Sequence, residues 1–168
     1  YVSLTQAQVT TMLTEVMDGI EGVRGIHCCG NTDWSLILKT PVELLSMDAY
    51  DYGRTLTDHA QGLQAFLERG GILCWGIVPA GMAAQNETVP HLVTLLEQHI
   101  ERLTEQGVSR DLLLAQGMVS PSCGLGSVDT GLAEHILSLT RQVSDEMRHR
   151  YVAQEPVATE DSEQEELS

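Results

Sequence analysis

Apolar residues recur along this chain with two alternating periods. Val9, Leu13, Val16 and Ile20 fall at helical spacing and predict a helix over residues 5–19. A short strand follows over 24–29 and ends in polar residues. Residues 34–40 fit a short helix that stops before Pro41, because the residue ahead of a proline disfavours the helical region. A second strand is predicted over 42–48 (PVELLSMD without its proline), and it too ends in an acid. Residues 56–69 form an amphipathic pattern closed by Gly70 and Gly71, the residue type that ends helices. The run ILCWGIV over 72–78 is apolar on both alternate sets, as a strand buried on both faces should be. A helix over 89–106, a fourth strand over 111–120 (DLLLAQGMVS) and a last helix over 129–150 complete the pattern.

Strand and helix therefore alternate through four units, which argues for an α/β fold with parallel strands. Four such units are half of a (β/α)8 TIM barrel. They also suit a small open sheet, and periodicity alone does not choose between the two.

The 168 residues are enough for one domain with its own core, and aromatics make up only 4%, so that core must be aliphatic. No apolar run reaches the roughly 18–20 residues of a membrane helix. The first residues lack the basic-then-apolar order of a signal peptide, so a cytoplasmic protein without membrane contact is the expectation. The formal net charge is −15. Six acids and no base lie between Glu155 and Ser168, and residues 153–168 are expected to form an acidic, disordered tail beyond a domain of residues 1–152. The domain stays acidic without them, and Lys39 is the only lysine. Nucleic acid is excluded as a partner on that ground, since phosphate contacts need clustered Lys and Arg.

In parallel α/β folds ligands bind at the carboxyl ends of the strands. The chemically versatile residues gather there: His27 and Cys29 after the first strand, Asp48 after the second, Cys123 in SPSCGLGS after the fourth. Alternate residues of an extended segment share a side, so His27 and Cys29 converge while Cys28 points away. Zinc takes imidazole nitrogen, thiolate sulfur and carboxylate oxygen in a tetrahedron, which suits this set. The competing reading makes the same cysteines small buried hydrophobes. Cys74, inside an apolar strand, is expected to be buried, and Trp34 to pack in the core. His59, His91, His99, His135 and His149 lie in helical stretches, where solvated or capping roles are expected.

The strings HCCGNTDW, LSMDAYD and VSPSCGLG resemble the zinc-site segments of cobalamin-independent methionine synthase and its relatives. Those relatives include the methylcobamide:coenzyme M methyltransferases and, more distantly, uroporphyrinogen decarboxylase. The resemblance runs from about Arg24 to Ser127 and implies the last four units of a (β/α)8 barrel. It implies a zinc site of His27, Cys29 and Cys123, with Asp48 where methionine synthases carry a glutamate ligand. Asn31 and Asp33 in the first string are then candidate substrate-binding residues, although Asn31 also suits a helix cap. The implied reaction is methyl transfer to a thiol, homocysteine or coenzyme M, from methyltetrahydrofolate or a methyl-corrinoid protein. Ile77 stands about where methionine synthases have a histidine that assists proton movement. A methylfolate donor needs an acid and a methyl–corrinoid donor does not, so this departure favours the corrinoid. A metal-free, decarboxylase-like enzyme is the alternative within the same fold, but Arg24, Lys39 and Arg54 are few cations for an acidic tetrapyrrole.

Overall fold

A computed structural model of the protein describes residues 4–152; the acidic tail expected over 153–168 lies outside them. Four strands, β1 (Gly25–Cys28), β2 (Leu44–Asp48), β3 (Ile72–Val78) and β4 (Gly117–Pro121), form one parallel sheet in the order β1-β2-β3-β4. Seven α-helices accompany them: α1 (Gln6–Asp18), α2 (Trp34–Leu38), α3 (Ala49–Tyr52), α4 (Ala60–Glu68), α5 (Val89–Glu105), α6 (Arg110–Ala115) and α7 (Thr130–Tyr151). None of the described helices is long and apolar enough to cross a membrane.

Local chemistry sets the helix starts. Thr5 makes a capping box with Gln8 at the head of α1, and Asp33, Thr88, Ser109 and Asp129 each accept a backbone N–H in the first turn of α2, α5, α6 and α7. Pro90 sits in the first turn of α5, where its missing N–H is no loss.

The register divides the strand residues into two faces. In one set, Leu45 pairs with Leu73, and Met47 with Trp75, and all four are buried. Trp75 stacks on the His99 ring of α5 at 6.4 Å, so this is the face beneath the helices. The other set contains the row His27, Ser46, Cys74 and Met118, and it opens towards solvent at its ends: His27 is exposed and Met118 is 48% exposed. Parallel strands that follow one another in order are joined by crossovers of one hand, right-handed almost without exception, which puts their connecting helices on one side.

Two expectations need correction. Residues 111–120 are not one strand. Ser109 caps α6 through the Leu112 N–H, the chain turns at Gln116, and β4 begins only at Gly117. A short apolar run such as DLLLA does not distinguish strand from helix by period, and the cap decided it. Residues 56–69 are likewise not one α-helix: a 3-10 segment, Gly53–His59, precedes α4. The short α3 and a second 3-10 segment, Met82–Asn86, are additions that periodicity did not predict.

Candidate metal centre

β1 carries His27 and delivers Cys29 just past its end, on the face away from the helices. The His27 Nδ1 lies 2.9 Å from the Ser46 hydroxyl of the neighbouring strand, its partner in the sheet register. With Nδ1 protonated and donating to Ser46, the Nε2 lone pair is left free for a ligand, the arrangement that fixes a metal-binding imidazole.

Cys123 arrives from the far edge of the sheet. Three strand spacings separate β1 from β4, ~14 Å in a flat sheet at about 4.8 Å each. Nevertheless one ligand atom from each of His27, Cys29 and Cys123 lies within 4.8 Å of the others. The segment after β4 achieves this by folding over β3. The register slips by one residue between Gly76 and Val78: Ile77 of β3 is passed over, and Val78 pairs with Pro121. Ser122 is buried there, with its N–H donating to the Val78 carbonyl at 2.8 Å and its hydroxyl accepting from the Ala80 N–H at 3.1 Å. Gly76 makes room: a Cβ on it would lie 2.4 Å from the Met47 carbonyl oxygen and 2.8 Å from the Ser122 Cα.

The three donors could hold a metal ion. With Zn–S bonds of about 2.3 Å, a tetrahedral edge is ~3.8 Å, so a small contraction of the group would close it around an ion. Both cysteines are free and exposed. The neighbouring Cys123 side chain is the main influence holding the Cys29 thiol above its usual range. A cation between them would remove that penalty.

Asp48 stands outside the group of three. It is 7% exposed, and its Oδ1 accepts the Asp51 N–H at 3.0 Å, which makes it the cap of α3. Burial pushes its carboxyl up, with the Asp51 N–H pulling against that and the His27 ring acting weakly in the same downward sense. Asn31 is exposed beyond β1. Asp33, not Asn31, caps α2: its Oδ1 accepts the Ser35 N–H at 3.0 Å and its Oδ2 the Gln6 side-chain amide at 2.9 Å. Cys28 faces the other way and its Sγ donates to the Gly30 carbonyl. Cys74 and Trp34 are buried as expected, and the Trp34 indole donates to Thr55.

Three residues beside the strand ends, Ser46, Gly76 and Ser122, escaped sequence reasoning. Ser46 could have been found from its alternation with Asp48 on β2. Gly76 and Ser122 could not, because their role depends on how the chain after β4 folds back. His99, expected to be solvated, is a correction: it is 3% exposed, and neither ring nitrogen has a hydrogen-bond partner of good geometry among the described residues. His135 is exposed, with its Nε2 3.1 Å from the Ala84 carbonyl. A cavity of about 780 Å³ lies on the helical side, lined by Trp75, Val119, Met147 and Tyr151 among others, and none of the candidate ligands borders it.

No protein-family model and no curated protein matches the chain.

Proposed function

We propose that the protein is a zinc-dependent methyltransferase acting on a thiol, and that its four strands are the ligand-bearing half of a (β/α)8 barrel. One observation carries this reading: the convergence of His27, Cys29 and Cys123 at the carboxyl ends of the first and last strands. The barrel is supported by the in-order parallel sheet and by the partly exposed face that carries His27 and Met118, which parallel sheets rarely leave open.

Zinc would supply one piece of chemistry, keeping a substrate thiol deprotonated at neutral pH. His27, Cys29 and Cys123 would hold the ion and leave one tetrahedral position for that thiol. Two cysteinates offset its +2 charge, so the substrate sulfur stays electron-rich. Ser46 keeps the His27 ring turned, and Gly76 with Ser122 holds Cys123 over the sheet. Asp48, committed to its cap, is a less favoured fourth ligand than the substrate itself. Homocysteine or coenzyme M are the acceptors this chemistry suits, and a methyl-corrinoid protein the donor. Only the strand-end histidine position, occupied by Ile77, bears on the donor.

The test is ligand exchange. X-ray absorption at the zinc edge of the loaded protein should show two sulfurs per zinc, rising to three when homocysteine or coenzyme M is added. An unchanged sulfur count with both thiols would remove the reading.

A further inference from the structure

Cys29 and Cys123 form a pair with properties beyond metal binding. Their ligand atoms lie within 4.8 Å of one another and both residues are exposed. Gly30 follows Cys29, Gly124 follows Cys123, and a Cβ on either glycine would meet nothing within 4 Å. A disulfide needs sulfurs about 2.05 Å apart, so closing this pair takes a movement of the two exposed side chains towards one another. The other two cysteines are held out of reach. Cys28 points to the opposite side with its Sγ on the Gly30 carbonyl, and Cys74 is 7% exposed within β3.

We propose that Cys29 and Cys123 form a reversible disulfide on exposure to a peroxide, making this pair an oxidative modification site. One thiolate attacks a peroxide oxygen and the O–O bond breaks, giving a sulfenic acid and, for hydrogen peroxide, one water. The second thiol then attacks that sulfenic sulfur and displaces a second water. Both sulfurs are oxidised by one electron each and the peroxide takes up two. The bridge removes two of the three metal ligands, so the oxidised and metal-holding forms exclude one another. The pairing needs only the two thiols and does not rest on the methyl-transfer reading.

The test is peptide mapping of the full chain, stripped of metal and treated with stoichiometric hydrogen peroxide. The expected product is lighter by about 2 Da. Trypsin under non-reducing conditions should release residues 25–39, which bear Cys28 and Cys29, linked to residues 111–141, which bear Cys123, with fragmentation of the linked pair placing the bridge on Cys29. Dithiothreitol should separate them. Cys28→Ser should link equally well, whereas Cys123→Ser should give only oxygen adducts on the 25–39 peptide. Bridging through Cys28 or Cys74, or oxygen adducts without any bridge in the unaltered chain, would overturn the proposal. Zinc content before and after oxidation separates this from the metal reading. A reduced chain that binds no zinc yet still forms the 25–39 to 111–141 link upholds the disulfide and discards the metal. A chain that binds zinc but never links does the reverse.

Discussion

The Cβ that Gly76 lacks would fall 2.8 Å from the Ser122 Cα, so the chain after β4 crosses β3 in direct backbone contact. That crossing brings Cys123 to His27 and Cys29. Gly76→Ala must push the Ser122–Cys123 segment outward. It is expected to destabilise the fold by about 1–3 kcal/mol, as overpacking does, and to weaken zinc binding by more than tenfold. Denaturant unfolding and a competitive zinc titration check both. Unchanged zinc affinity in the folded variant would contradict the placement of Cys123.

Ser46 acts on the ring and not on the fold. It is half-buried, and its hydroxyl meets His27 Nδ1 at 2.9 Å. Loss of such an outer partner typically lowers metal affinity about 10–100-fold. Ser46→Ala should therefore weaken zinc binding by roughly tenfold with little change in unfolding midpoint, measured by the same titration.

Asp33 is predicted to behave in the opposite way. Both of its oxygens are engaged within the fold, one capping α2 and one holding the Gln6 amide of α1. Asp33→Ala should lower stability by about 1 kcal/mol, the usual effect of losing a cap, and leave zinc affinity unchanged. A raised thiol KM at constant stability would instead mark it as a substrate ligand.

His99 predicts an acid-sensitive core. Burial lowers its pKa to about 4, with Arg102 acting in the same direction, the Ala49 backbone against it and Arg54 adding a smaller downward push. The unfolded chain regains an ordinary imidazole near 6.5 and so binds more protons between these two values. Stability is therefore full above about pH 6.5 and falls as pH drops towards 4, by on the order of 3 kcal/mol in total. His99→Leu should flatten that slope in urea unfolding between pH 7 and pH 4.5. A slope unchanged in the variant would assign the acid sensitivity to other groups.

Much of this was legible in the sequence for a physical reason. β3 is an apolar run of strand length bounded by Gly70 and Gly71, rich in β-branched and aromatic residues, and His27 and Cys29 share a face because alternate residues of an extended segment must. Their approach to Cys123 was an expectation from strand ends, and the close group of three agrees with it. The α6–β4 stretch was not legible, because DLLLA satisfies both periods and the decision fell to the Ser109 cap and to Gly117. A Cβ on Gly117 would lie 2.7 Å from the Leu113 carbonyl, so the strand starts hard against the helix end. His99 was misjudged because a helical position does not say which face is covered. Gly53 offers the room: a Cβ there would lie 2.6 Å from the His99 ring.

Metal content of the unaltered chain and of Cys123→Ser, read with X-ray absorption at the zinc edge, tests the convergence of these three residues most directly. About one zinc per chain, held by two sulfurs and a nitrogen and lost from the folded variant, is the expected result. Zinc retained in folded Cys123→Ser with the same sulfur count, or no zinc in the unaltered folded chain, would contradict it.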